Sequence, residues 1–178
     1  MAAIIAGIGA AVLAESPTPQ VRRASLVAME KSFDGRIEKM GAADPFDLLG
    51  TTRGVYLEGY GAVFSTEVNL IVSPSINPFR LKMTPKDVSM VHARKVQNLP
   101  ILRRNMREML VASAASLDTV PATEQVAVAV SLFYFSWEDR SGLPAQIVMR
   151  AERQKLLDFQ AGRANAAALD SSIRVQEY

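Results

Sequence analysis

The sequence predicts an α+β domain: an antiparallel four-stranded sheet made of two hairpins, with an N-terminal helix and a long helix packed on one face and a short C-terminal helix. Three observations predict it. Ala62–Val72 and Glu124–Trp137 are patterned as strands, and each adjoins a shorter strand across a turn. Gln20–Met40 and Thr84 to about Leu117 repeat apolar residues at spacings of three and four, as helices with one buried face do. The 178 residues are 49% hydrophobic and contain no long linker, so one core is expected. The expected organisation is an apolar leader over 1–14, one domain over 15–162, and a C-terminal extension or edge strand over 163–178.

Ala2–Ala14 holds thirteen residues without a charge, followed by Glu15, Ser16, Pro17 and Pro19. A membrane-spanning helix needs about 20 apolar residues, whereas the apolar region of an export signal has about 7–15. Val12 and Ala14 place small residues at −3 and −1 of a cut after Ala14. The basic residues that should precede such a run are missing. An export signal is the leading reading, with a short membrane anchor and a structural helix or strand of the domain as alternatives. Gly7-Ile8-Gly9 lacks the preceding strand and third glycine of a dinucleotide-binding turn, and Pro17 and Pro19 break the helix that should follow.

In the first helix, Val21, Ala24, Met29, Phe33, Ile37 and Met40 form the apolar stripe. Glu30, Asp34 and Glu38 form an i,i+4 row expected to face solvent, and Gly41 is placed to end the helix. Asp44 and Pro45 suit the start of one short helical turn. Gly54–Glu58 is a short strand, and Gly59-Tyr60-Gly61 is its turn or bulge. In the following strand, Ala62, Phe64, Thr66, Val68, Leu70 and Val72 share the core face, while Val63, Ser65, Glu67, Asn69 and Ile71 share the other.

Ser73–Met83 is a loop with two prolines. Thr84-Pro85-Lys86-Asp87 then opens the long helix, with Thr84 as N-cap, Pro85 at N1 and Asp87 at N3; Pro100 is expected to kink or break it. Glu124–Trp137 is apolar on both faces, which predicts a central strand covered twice, the second cover being another copy of the chain. Glu138–Gly142 is a hairpin loop, Pro144–Ala151 the returning strand, and Gln154–Ala161 a short helix ended at Gly162. Ile173–Tyr178 is a last edge strand or a tail.

Composition excludes several chemistries. Without cysteine there is no disulfide framework, Cys-type zinc site, iron–sulfur cluster or thiol nucleophile. One histidine cannot make a His-Glu-x-x-His zinc site, and no Gly-x-Ser-x-Gly turn holds a serine nucleophile. Gly54, Gly59 and Gly61 lack the Lys-Ser/Thr of a phosphate loop. Net charge is +2, close to balance.

Three groups of residues remain. Ser65, Glu67 and Asn69, with His92, form a candidate polar cluster in which Glu67 would work with His92 or with a second carboxylate, Glu58 or Glu124. Arg94, Lys95, Arg103, Arg104 and Arg107 make the long helix basic and form a candidate anion-binding face. Trp137, Glu138, Asp139 and Arg140 form a candidate recognition loop at a hairpin tip. The leading expectation is a non-catalytic, exported or periplasmic domain of the cell envelope, using no metal or cofactor. It would bind a protein or itself through an uncovered sheet face, bind no nucleic acid, and keep no membrane span once the leader is cleaved. A hydrolase centred on Glu67 and a binder of anionic surfaces are the alternatives.

Overall fold

The computed structural model describes residues 21–40, 45–74 and 82–178. The expected leader over 1–14, Gly41, Asp44 and most of the loop before the long helix lie outside the described residues. Ten elements follow in order: α1 (Arg23–Ile37), β1 (Asp47–Leu48), β2 (Arg53–Leu57), β3 (Gly61–Asn69), α2 (Pro85–Ser116), β4 (Gln125–Leu132), β5 (Gln146–Glu152), α3 (Arg153–Gln160), α4 (Ala166–Ser172) and β6 (Arg174–Glu177). The α+β class holds, but the sheet is six-stranded and mixed. Its order is β1-β3-β4-β5-β6, with β2 also paired to β3.

Both expected hairpins form, β2 with β3 and β4 with β5, each antiparallel. Their junction differs from the antiparallel sheet expected: β3 and β4 run parallel, from Gly61 opposite Gln125 to Val68 opposite Leu132. The cause is α2. Its 32 residues span about 48 Å at the ordinary helical rise. The chain leaves β3 at one end of the sheet and is carried back to the other end before β4 begins, which is a crossover connection.

Alternation then places Ala62, Phe64, Thr66 and Val68 beside Val126, Val128, Val130 and Leu132, and next to Ala151, Met149 and Ile147. The apolar members of this inner row, with the buried faces of α1 and α2 and with Leu156 and Leu169, form the core cluster. Phe33 of α1 meets Phe64 of β3 edge to face, ring centroids 5.0 Å apart.

The cap of α2 forms as its sequence dictates. Thr84 Oγ1 accepts from the Asp87 amide at 3.2 Å, and Asp87 Oδ2 accepts from the Thr84 amide at 2.9 Å. Pro100 does not break the helix. Its missing N–H leaves the Val96 carbonyl without a helical donor, but Val96 and Pro100 are both exposed, so water can serve that carbonyl.

Other details depart from the sequence pattern. Pro45–Leu49 holds strand β1 rather than a helical turn. Val72 lies beyond β3 and is exposed, and β4 stops at Leu132, so 133–145 is a long connector. The acidic row of α1 does not face solvent throughout. Glu30 is buried, where Oε1 accepts from the Gly54 amide at 2.7 Å and from Arg23 at 2.7 Å; Asp34 Oδ1 accepts from the Thr52 amide at 2.8 Å. Arg23 in turn donates to the Gly54 carbonyl at 2.6 Å. Side chains of α1 thus take the outward backbone groups at the start of β2, where a further strand would otherwise bind.

Candidate functional site

Members of all three nominated groups meet at one end of the sheet. Lys95 lies on the buried side of α2, in line with Val91 and Leu99, and its side chain is 0% exposed. It is therefore absent from the basic face on which the sequence suggested it. Its ammonium ion-pairs with Glu138, whose side chain is also 0% exposed, donates to the Phe133 carbonyl at 3.0 Å, and sits 4.5 Å from the centroid of the Tyr134 ring. Burial lowers the Lys95 pKa, and the bond and charge of Glu138 oppose that shift. Glu138 Oε1 accepts from Ser73 Oγ at 3.2 Å, and that hydroxyl accepts from Asn69 Nδ2 at 3.2 Å. Asn98 donates to the Leu70 carbonyl at 2.7 Å.

This network ties α2 to the end of β3 and to the β4–β5 connector. At its centre is a buried, paired cation and anion, which holds these segments together. Tyr134 belongs to it as well: burial first, and the Glu138 charge second, push its phenol up to about 12, with Arg140 opposing. Ser73 and Tyr134 were not singled out from sequence. The legible signal was Lys95 itself, since Val91, Lys95 and Leu99 at i,i+4 spacing place a lysine inside an apolar stripe.

His92 stands one turn earlier on α2. Its Nδ1 lies 3.1 Å from the Asp139 carbonyl oxygen and 4.0 Å from Asp139 Oδ2. Asp139 is held below the usual carboxylate range by hydrogen bonds from the Ser141 hydroxyl and amide, with His92 a smaller cause. Trp137 is half-buried and stacks on Phe135, while Arg140 is exposed. The hairpin tip therefore splits: Glu138 turns inward, and Asp139 and Arg140 stay at the surface.

Ser65 and Glu67 lie elsewhere. They project from the outer face of β3 and line a shallow groove of about 530 Å³ with Arg53, Thr51 and Ser131. His92 belongs to the helix covering the inner face, so the two partners of the hydrolase reading stand on opposite sides of the sheet. Glu124 is not beside Glu67 either; its Oε1 accepts from the Tyr56 hydroxyl at 3.1 Å and the Gly59 amide at 3.2 Å. Among the described residues no group of three or more His, Asp or Glu side chains could hold a metal ion.

The basic face of α2 is mostly paired. Arg103 makes two bonds to Glu177, at 2.7 and 2.8 Å, which raise its pKa, and Arg107 reaches Asp170 at 2.7 Å. Arg94 is half-buried on the same helix, and Arg104 is exposed.

The outer face is a different kind of surface. Across the strands, Val55, Val63 and Ala127 share one row, and Ser65, Ala129 and Val148 the next. None of these side chains belongs to the core cluster or packs on it. Val55 and Leu57 are 49% and 48% exposed. Arg53, Glu67, Arg150, Glu152 and Arg174 alternate onto the same face. The second apolar face of β4, read from sequence as covered twice, is therefore real as a pattern, but no described helix covers it.

No family, curated protein or solved structure matches this chain in comparison. Among the described residues no helix is long and apolar enough to cross a membrane.

Proposed function

We propose that the chain is a non-catalytic, exported or periplasmic domain that acts by protein–protein interaction, with a second copy of itself as the partner on the outer sheet face. The observation that carries this reading is the apolar diagonal of Leu57, Val55, Val63, Ala129 and Val148 on a face that no described helix covers. Burying that diagonal is favourable in proportion to the apolar area removed from water. Its fringe carries both signs of charge, Arg53, Arg150 and Arg174 with Glu67 and Glu152. A two-fold interface brings one patch against itself, and a patch that carries both signs can pair its charges with those of its own copy.

Light scattering coupled to size-exclusion chromatography over a wide concentration range tests the reading. The expected result is concentration-dependent dimerisation, lost when Val55→Asp and Leu57→Asp are combined while the circular dichroism is unchanged. A monodisperse monomer at the highest concentration overturns it. The export part rests on Ala2–Ala14 and is tested separately by N-terminal sequencing of protein from the native host. A mature start at Glu15 supports it, and a start at Met1 sinks it.

A further inference from the structure

The two edges of the sheet are finished differently. At β2, the outward amides of Thr52 and Gly54 and the Gly54 carbonyl are occupied by Asp34, Glu30 and Arg23. At the other end β6 pairs only with β5, and all four of its residues are exposed. Gln146 and Tyr178 exchange both backbone bonds, at 3.0 and 3.3 Å. Antiparallel pairing alternates, so Gln176 and Arg174 also turn their backbone groups toward β5, while Val175 and Glu177 turn theirs away. Among the described residues nothing meets the outward N–H and C=O of Val175 and Glu177.

Beside this edge lies a cavity of about 400 Å³ between α2, α4 and the inner face of β6. Its floor is Met149, Ile173 and Val175, and Val175 is 49% exposed. Arg103, Arg104 and Arg107 stand over it against one lining carboxylate, Asp170. Arg103 and Arg107 are matched by Glu177 and Asp170, which among the described residues leaves Arg104 as the unmatched cation of this cavity.

We infer that β6 is a docking edge for an extended, carboxylate-bearing peptide segment of another protein, which adds to the sheet as a seventh strand. The main-chain groups of Val175 and Glu177 give it hydrogen bonds. Alternate side chains of the added strand fall over the cavity, where apolar ones rest against Val175 and acidic ones meet Arg104. The charge rules out a basic peptide, and the ladder rules out one whose amides are blocked. This site is independent of the outer face, because it uses the sheet's edge and inner side.

The test uses the full chain and a labelled synthetic peptide of repeating Glu-Thr-Val-Thr (the Glu/Val peptide), which sets Glu and Val on one face of the added strand, followed by fluorescence anisotropy. Three controls accompany it: a Lys/Val peptide, the Glu/Val peptide N-methylated at every second amide, and the free amino acids. Binding is expected for the Glu/Val peptide alone, weakening with salt, and falling about tenfold or more on N-methylation, as the loss of main-chain bonds predicts. Arg104→Glu should weaken it by about tenfold or more, since one charge-assisted bond is lost and a repulsion gained. Val175→Pro should abolish binding without unfolding the domain, because the N–H it removes faces away from β5. Amide exchange at Val175 and Glu177 should slow on binding. Equal binding of the Lys/Val or N-methylated peptide, no binding at all, or a dimer joined through β6 that excludes the peptide overturns the inference.

Discussion

A lysine without exposure is expensive unless its charge is answered, and Lys95 is answered by Glu138. Removing one partner leaves the other charged and buried. Glu138→Leu alone should therefore cost about 3–5 kcal/mol of stability, and Lys95→Met alone a similar amount. Combining them leaves two apolar side chains of related volume, so the double variant should recover most of that loss. Urea unfolding of the four proteins checks this; additive losses would show that the ion pair is not what holds the connector to α2. Tyr134 adds a pH dependence. Its hydroxyl donates to the Pro144 carbonyl at 2.7 Å, and its pKa rises from 10.0 to about 12. The folded protein then holds a proton that the unfolded chain releases, so this contribution is whole below pH 10 and lost as pH climbs to about 12. Lys95 acts in the opposite sense, since its lowered folded pKa makes the unfolded chain the stronger proton binder. The Tyr134 part is isolated by difference: Tyr134→Phe should flatten the fall in urea midpoint over this range. It should also remove the latest-ionising tyrosine from an alkaline absorbance titration. An unchanged titration would place that group elsewhere.

At the scale of elements, α1 does two jobs that its sequence displays as one. Phe33 and Ile37 seal the core, while Glu30 and Asp34 finish the β2 edge. Periodicity revealed the apolar stripe because burial repeats at the helical period. It misplaced the acidic row because a carboxylate bonded to backbone amides looks, in sequence, like one bonded to water. Glu30→Ala frees the Gly54 amide and removes the partner of Arg23, and should cost about 1–3 kcal/mol. Glu38→Ala, in the same row but exposed, should change stability by no more than about 0.5 kcal/mol. The uncapped edge should also raise the aggregation rate of the Glu30 variant, read by light scattering below its unfolding midpoint. Equal effects of the two substitutions would mean that the edge bonds contribute nothing. The extent of helix α2 was legible from its Thr84–Asp87 cap onward, because capping and the apolar stripe are local; its continuity through Pro100 and the inward turn of Lys95 were not. The meeting of Asn69, Lys95 and Glu138 was not, since each stood in a different group and only the tertiary fold joins them.

The whole molecule turns on one join. Alternation tells which face a strand residue occupies and says nothing about which strand lies next to it, so both hairpins could be read while their parallel pairing could not. The clue was the length of the connection: 32 helical residues between β3 and β4 return the chain to the starting end of the sheet. That join opens at Gly61, where φ is +131° and an added Cβ would lie 1.9 Å from the Gln125 carbonyl oxygen. The contact is with backbone, so neither strand can yield without disturbing the register of the pair. Gly59 is also left-handed, at φ +75°, but an added Cβ there meets nothing within 4 Å. Gly59→Ala should therefore cost about 1 kcal/mol, from conformation alone. Gly61→Ala should cost more than the roughly 1–3 kcal/mol of local backbone strain, because the clash comes on top of it. If the join is what unites the hairpins, Gly61→Ala should also raise amide exchange throughout β3 and β4 together, whereas Gly59→Ala should leave both strands protected. Exchange confined to the 58–61 turn in the Gly61 variant would show instead that the two hairpins hold together through the helices of the inner face rather than through their shared ladder.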